Sequence, residues 1–273
     1  MSVLETRSVS IRFGGVFANT DVSISVGEWE IVGVIGPNGA GKTTAFNIIT
    51  GFYKPNRGRV IFKGQDVTDL GVHERAALGL GRTFQNVGLV KGSTVRENLV
   101  TAQYLEADYT VLAGMLGSPH SFAAERELNA RGEAIADIMG LGDILDTQVA
   151  GLPYGVLKRV EIATALATDP QVLLLDEPSS GMGPEEAHEL GDSLLDLRKE
   201  FGLSIAMIEH HVPLVVRVCD YVYCLNFGQL LAEGLPEEVR NHPQVVTAYL
   251  GEDAEDPELQ AVESQIESLL DSD

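Results

Sequence analysis

The chain has 273 residues, 44% of them hydrophobic and 22% charged, which is typical of a globular protein with one large or two small domains. Its net charge of −21 argues against a broad nucleic-acid-binding surface, because phosphate backbones are bound by clustered Lys and Arg. No apolar run is long enough to span a bilayer, and residues 1–14 lack the apolar core of a signal peptide, so we expect a cytoplasmic protein.

The first third of the chain has the alternating apolar pattern of β-strands. This pattern predicts strands at residues 8–12, 22–26, 31–35 and 59–62. Turn signals separate them, such as Gly14-Gly15 between the first two. We therefore predict an antiparallel layer that leads into a strand–loop–helix unit.

Residues 36–44 form a complete phosphate-binding motif of the form G-x-x-x-x-G-K-[ST]. The motif consists of Gly36, Pro37, Asn38, Gly39, Ala40, Gly41, Lys42, Thr43 and Thr44. It follows a buried-strand pattern and precedes a helical one, so its backbone N–H groups are expected to face an anion at a helix N-terminus. Lys42 is then expected to reach the β- and γ-phosphates, and the Thr43 hydroxyl to bind Mg²⁺. The sequence thus predicts nucleotide binding.

The middle of the chain changes to helical patterns. Residues 95–140 are predicted to be helical with a Gly/Pro break at 114–119, and a second helical stretch covers 156–167. Two fully apolar strands follow, at 172–175 and 204–208, with a helix at 184–201 between them. Continuous apolar strands that alternate with helices predict a parallel sheet covered on both faces, and hence an α/β fold.

Two carboxylates, Asp176 and Glu177, come directly after the first of these apolar strands. The strand would deliver Asp176 to the edge of the sheet that carries the phosphate loop, where it can hold Mg²⁺. Glu177 can polarise the water that attacks the γ-phosphate. Adjacent acids could instead cap a helix, but the phosphate-binding motif favours the catalytic interpretation.

The two cysteines, Cys219 and Cys224, lie five residues apart on what we predict to be one strand. This is neither a C-x-x-C nor a metal-binding spacing, and one pair makes no disulfide framework. We predict two reduced thiols in the core.

The order of these motifs resembles that of the ATP-binding cassette (ABC) ATPases across residues 1–251. Gln85 follows the phosphate loop, a Gly-containing helix start lies at 152–161, and His210 follows the Asp-Glu pair. The strongest resemblance is to the ATP-binding subunit of bacterial branched-chain amino-acid importers. It is carried by Arg12-Phe13-Gly14-Gly15-Val16, Gly81-Arg82-Thr83-Phe84-Gln85-Asn86, Leu152-Pro153-Tyr154-Gly155, Ile208-Glu209-His210 and Ala248-Tyr249-Leu250-Gly251.

The resemblance implies a P-loop NTPase fold. Its parts would be a RecA-like parallel sheet core, an N-terminal antiparallel β layer and a helical subdomain inserted at about residues 87–165. The ABC ATP-binding domain would occupy residues 1–251, followed by an acidic tail at 252–273.

The resemblance also implies a role for each matching residue, with ATP and Mg²⁺ as cofactors. Phe13 would stack on adenine, with Phe17 as the alternative aromatic. His210 would contact the γ-phosphate, and His211 is the alternative histidine. The implied catalytic residues are Lys42, Gln85, Glu177 and His210, and the implied metal-binding residues are Thr43, Gln85 and Asp176.

The chain departs from the family pattern at two places. The signature, usually Leu-Ser-Gly-Gly-Gln, is expected to contact ATP held by a second subunit, but here it is Leu152-Pro153-Tyr154-Gly155-Val156. Pro153 lacks both a hydroxyl and a backbone N–H, whereas Gly155 keeps its N–H. Gly183 stands where an Asp or Asn is usual, which puts communication across the dimer in doubt.

The resemblance implies several partners and excludes nucleic acid. They are a second ABC ATPase subunit in a head-to-tail dimer (a homodimer or a heterodimer), integral membrane permease subunits contacted through residues 87–98, and a periplasmic or surface substrate-binding protein in the wider complex. The protein would be held at the inner face of the cell membrane by its permease.

Importers of urea, short amides or lipid-like cargo are alternative functions. A soluble ABC ATPase of nucleic-acid repair or translation is disfavoured by the acidic charge and the single phosphate loop.

The acidic tail carries nine acidic residues and no basic one between positions 252 and 273. Its apolar residues recur at helical spacing: Leu259, Val262, Ile266, Leu269 and Leu270. A short amphipathic docking helix and a mostly disordered tail are both consistent with this pattern.

Overall fold

Two β-sheets organise the chain, in a computed structural model that describes residues 2–83, 88–103 and 119–253. The strands are β1 (Ser2–Phe13), β2 (Val16–Gly27), β3 (Ile31–Ile35), β4 (Arg57–Phe62), β5 (Gln65–Asp66), β6 (Leu80–Arg82), β7 (Val172–Asp176), β8 (Ser204–Ile208), β9 (Tyr221–Asn226) and β10 (Gln229–Gly234). The helices are α1 (Lys42–Ile49), α2 (Val72–Ala77), α3 (Val95–Gln103), α4 (Pro119–Ile138), α5 (Tyr154–Ala167), α6 (Pro184–Phe201), α7 (Val212–Val218), α8 (Pro236–Arg240) and α9 (Pro243–Asp253), with a 3₁₀ turn at Gly142–Ile144.

The predicted antiparallel layer is present as a sheet of order β2-β1-β4-β5. The first two strands are about twice as long as the sequence predicted, each spanning 12 residues. Their pairing shifts register between Thr6 and Val9, and Ser8 between them has a φ of 47°. Such a bulge changes which residues face inward, so the alternating pattern is broken where the strand itself continues.

The second sheet has the order β10-β9-β3-β8-β7-β6 and is parallel except for its edge strand β10. β3 pairs with β9 on one side and β8 on the other, and all five of its residues are buried. Val34 of β3 and Asp176 of β7 both pair with Ile208 of β8. The carboxyl ends of these three strands are therefore level, and the loops that follow them meet at one edge of the sheet.

Two cores lie on the two faces of this parallel sheet. Ile31 and Ile35 belong to the core shared with the helical part of the chain, whereas Val32 and Val34 belong to the core shared with α1 and the antiparallel sheet. Successive strand residues point to opposite faces, and each fully buried Val or Ile contributes roughly 1.5–3 kcal/mol. This explains why β3 is apolar throughout rather than alternating.

The helical middle of the chain contains α3, α4 and α5, which pack against one another. Most of the predicted break at 114–119 lies outside the described residues, and α4 begins at Pro119. The helix predicted at 184–201 is confirmed as α6, which has a proline in its first turn and ends at Gly202 with a φ of 60°.

The prediction that both cysteines lie on one strand is wrong. Cys219 follows the last residue of α7, because that helix ends there and the chain turns into β9, where Cys224 lies. Both are buried free thiols, as predicted. Burial raises the pKa of both thiols, that of Cys224 to about 11 although the Lys42 charge lowers it, so both stay protonated at neutral pH.

The C-terminal helix α9 runs from Pro243 to Asp253, through the expected domain end at 251. The rest of the acidic tail, with its apolar repeat, lies outside the described residues. None of the helices that the structure describes combines the length and the apolar character needed to cross a membrane.

Candidate active site

The phosphate loop connects β3 to α1 at the carboxyl edge of the parallel sheet. All three of its glycines have backbone conformations that other residues rarely adopt, with φ of 144° at Gly36, 74° at Gly39 and 96° at Gly41. A Cβ at Gly36 would lie 2.1 Å from the carbonyl oxygen of Leu225, and one at Gly41 would lie 2.5 Å from that of Ala18. Only glycine fits both positions, which brings the loop to the N-terminus of α1, where the first N–H groups of the helix have no acceptor within it.

Lys42 is the first residue of α1, and its side chain folds back over the loop. Its buried Nζ donates hydrogen bonds to the carbonyl oxygens of Gly36 at 2.6 Å and Pro37 at 2.8 Å. These two carbonyls hold the ammonium group against the loop that would receive the phosphates.

A cavity of about 500 Å³ lies over the loop, a volume in the range of small-molecule sites. Its walls are formed by loop residues 38–44 and by Val16, Phe17, Ala18, Glu177, His210, Phe227 and Gly228. The turn between β9 and β10 is attached to this wall, because the Gly228 N–H donates to the Ala40 carbonyl at 3.0 Å. Residues predicted separately from three motifs thus line one cavity.

Asp176 is the last residue of β7 and is buried. Its Oδ2 accepts a hydrogen bond from Arg82 at 2.9 Å, whereas its buried Oδ1 has no partner among the described residues. Arg82 also donates to Asn47 on α1 at 2.7 Å and to Thr50, the residue after that helix, at 3.2 Å, so it ties the carboxylate to the helix that begins at Lys42. This Oδ1 atom and the hydroxyl of Thr43 in the cavity wall are oxygen ligands of the kind that Mg²⁺ prefers, so these residues fit that ion.

Glu177 and His210 are in direct contact in the wall of this cavity. The Oε1 of Glu177 lies 3.1 Å from the Nε2 of His210, and both side chains are partly exposed. Glu177 has a φ of 51°, a left-handed conformation that costs a non-glycine residue about 1–3 kcal/mol, and its N–H donates to the Ile208 carbonyl at 2.9 Å. The strained backbone aims the carboxylate into the cavity, next to the histidine. His211 does not line this cavity.

Glu209 is a buried carboxylate to which the sequence analysis assigned no role. Its Oε2 accepts the backbone N–H groups of His210 at 2.8 Å and His211 at 3.0 Å, and its Oε1 accepts the N–H of Ser179 at 2.8 Å. The carboxylate therefore joins the loop that carries Glu177 to the loop that carries His210. The sequence signals for it were an acid directly after a buried strand and its place in the segment Ile208-Glu209-His210. Arg82, a cation at the end of β6, likewise lies in a segment that carries the resemblance but was assigned no role.

We expect Glu209→Gln to slow ATP hydrolysis by roughly tenfold to a hundredfold, because the amide NH₂ cannot accept an N–H and the two loops would separate. Steady-state phosphate release measures this. The exposed Glu200 on α6 provides the matched control, since Glu200→Gln removes one charge without touching either loop. Wild-type hydrolysis by Glu209→Gln would contradict the assignment.

The two candidate adenine-stacking aromatics have different surroundings. Phe17 lines the cavity, and the guanidinium of Arg12 lies 5.9 Å from its ring centroid. Phe13 packs edge-on against Tyr53 with ring centroids 5.0 Å apart and is not part of the cavity wall. Both phenylalanines are exposed, so each has a ring face available to a base.

The remaining predicted site residues lie elsewhere. Gln85 is outside the described residues, two positions after Thr83, whose hydroxyl accepts the Asp176 N–H at 3.3 Å. In the signature segment Pro153 precedes the first residue of α5, and Tyr154 lies against Gly181. None of Pro153, Tyr154, Gly155 and Val156 lines the phosphate-loop cavity.

Comparison with known proteins gives matches over most of the chain. Residues 19–180 match the ABC transporter family, and residues 229–255 match the branched-chain amino acid ATP-binding cassette transporter family. The chain is 41% identical to the high-affinity branched-chain amino acid transport ATP-binding protein LivG of Salmonella typhimurium, over 92% of this chain and 98% of that relative. It is 39% identical to the protein BraF of Pseudomonas aeruginosa, which has the same descriptive name, again over 92% and 98%.

A solved structure is similar in both sequence and fold. It is the ADP conformation of an ATP-binding cassette of an ABC transporter, with a TM-score of 0.80 and 34% identity. The match covers 92% of this chain and 99% of the solved one. The two sheets and the helices described above therefore have the same arrangement as in that ATP-binding cassette.

Proposed function

This chain belongs to the ABC transporter family, and from that premise we propose that it is the ATP-hydrolysing subunit that powers import of branched-chain or other hydrophobic amino acids through a membrane permease. The ATP-binding proteins of this family are ATPases. The cargo assignment is carried by one observation, the match of residues 229–255 to the branched-chain amino-acid transporters. Urea, short amides and lipid-like cargo remain alternatives, whereas the relatives named above are all transport proteins and give no support to a role in nucleic-acid repair or translation.

The arrangement of four side chains supports a division of roles in hydrolysis. Lys42 would leave its two carbonyl acceptors to bind phosphate oxygens. Glu177 would orient the attacking water, and His210 would hold that carboxylate and contact the γ-phosphate. Such positioning and charge neutralisation are most of what phosphoryl transfer requires from a protein.

Bound Mg²⁺ would be held by Thr43 and Asp176, with Gln85 as a further expected ligand, and would neutralise charge on the β- and γ-phosphates. Arg82 would keep Asp176 in place through its hydrogen bond to Oδ2, which leaves Oδ1 without a partner among the described residues. For adenine we propose Phe13 as the stacking ring, with Phe17 as the alternative that lines the cavity.

The signature segment would act on ATP held by a second ATPase subunit in a head-to-tail dimer. None of its five residues lines the chain's own phosphate-loop cavity, which is consistent with action on the partner's nucleotide. The permease would hold the dimer at the inner face of the membrane, with residues 87–98 in contact, and a substrate-binding protein would complete the importer on the other side.

We expect Glu177→Gln held in ATP to co-purify with a polytopic membrane protein from native membranes, because loss of hydrolysis keeps the closed dimer on its permease. Wild-type protein in ADP is the control and should retain less of that partner. Recovery of nucleic-acid-bound or exclusively soluble partners would contradict the proposed function. The permease recovered would identify the cargo.

A further inference from the structure

The C-terminal helix α9 contacts the phosphate loop directly. The hydroxyl oxygen of Tyr249 accepts a hydrogen bond from the backbone N–H of Gly36 at 2.8 Å. Gly36 is the first residue of the loop and is buried, so this N–H has little access to water. A buried N–H without a partner is costly, so the tyrosine hydroxyl stabilises this loop conformation.

Both backbone polar groups of Gly36 are hydrogen-bonded. Its carbonyl oxygen accepts from the Lys42 ammonium at 2.6 Å, and its N–H donates to Tyr249. Glycine has no side chain to confine its backbone, and Gly36 adopts a φ of 144°. These two hydrogen bonds therefore help to fix the point where strand β3 turns into the loop.

Tyr249 also reaches the other catalytic loop. It lines a cavity of about 290 Å³ together with Ile35, Glu209, His210 and apolar residues of α7 and α9. Val245, one turn earlier on α9, is buried in the core and lines the same cavity, which anchors the helix there. α9 is thus packed on the protein at the place where the phosphate loop begins.

We propose that Tyr249 is a positioning residue for nucleotide binding, so that α9 forms part of the nucleotide site. This inference rests on the proposed ATPase function. The tyrosine orders the phosphate loop before phosphate arrives, so its hydroxyl contributes to the affinity for nucleotide and not to the chemical step.

The test is Tyr249→Phe in the full chain, with Tyr221→Phe as the matched control. Tyr221 lies at the start of β9, paired with Val32, whereas the phosphate loop follows the opposite end of β3. Loss of one buried hydrogen bond should raise the Kd for Mg-ADP and the KM for Mg-ATP about three- to tenfold, with kcat within about twofold of wild type. Amide exchange should accelerate at residues 36–41 and remain unchanged in the antiparallel sheet.

Two results would overturn the inference: unchanged nucleotide affinity in Tyr249→Phe, with or without a fall in kcat, or an equal effect of Tyr221→Phe. Thermal unfolding of each variant monitors the fold, which phenylalanine is expected to keep because the ring still fills its site. If wild-type protein bound no nucleotide, the proposed function would fail. If wild type bound nucleotide and Tyr249→Phe bound it equally well, only this inference would fail.

Discussion

Glu177→Gln is expected to reduce ATP hydrolysis by about 10²–10⁴-fold while ATP still binds. Glutamine has the shape of glutamate, but its neutral amide cannot accept a proton from the attacking water. It also lacks the negative charge that attracts and orients that water. The Glu177 side chain lines the cavity, and its hydrogen bond in the described structure is to His210 and not to the phosphate loop. The loop and Lys42 should therefore keep their conformation. The Kd for Mg-ATP should stay within about threefold of wild type.

Single-turnover hydrolysis and equilibrium ATP binding, measured on the same preparation, check this prediction. Glu185→Gln is the matched control, because Glu185 is an exposed acid in the first turn of α6. Hydrolysis by Glu177→Gln above about a tenth of the wild-type rate would show that another group positions the water. Loss of ATP binding in the variant would instead place Glu177 in the binding step.

Lys42→Met is expected to weaken ATP binding by about 30-fold or more, because the phosphates lose a charge-assisted hydrogen bond in a buried site. The fold should survive, since methionine matches the volume of the lysine stem and removes a buried ammonium, which donates to the Gly36 and Pro37 carbonyls and is costly to keep out of water. The free energy of unfolding without nucleotide should therefore be equal to or greater than that of wild type.

The two readouts separate binding from stability. Nucleotide affinity is measured by titration calorimetry with Mg-ATP, and the free energy of unfolding by urea denaturation with and without nucleotide. Wild type should gain stability on adding nucleotide, and Lys42→Met should gain less at the same nucleotide concentration. The exposed Lys199 on α6 provides the charge-matched control as Lys199→Met. Unchanged affinity in Lys42→Met would remove this lysine from the phosphate site.

Local sequence determined the parts of the site that depend on a continuous stretch of chain. Residues 36–44 specify their own loop, because glycine alone tolerates the conformations at Gly36 and Gly41. Asp176 and Glu177 were placed correctly at a strand end, because an apolar run of four residues before two acids is typical of a buried parallel strand. The order of these motifs along the chain was also enough to indicate the family.

Local sequence predicted element boundaries less well where an irregularity at one residue interrupts the spacing of apolar residues. The bulge near Ser8 concealed the full length of β1, and the end of α7 moved Cys219 off the predicted strand. In both cases the backbone departs from regular geometry at a single position, and a periodic pattern carries no information about such a departure.

Tertiary structure alone decided which side chains support the reacting groups. Arg82 meets Asp176 across 94 positions of sequence, and Tyr249 meets Gly36 across 213. Glu209 accepts N–H groups from two loops that only the parallel sheet brings together. A phosphate loop is encoded by the allowed conformations of consecutive residues, whereas these contacts depend on strand order and helix packing, which no short segment contains.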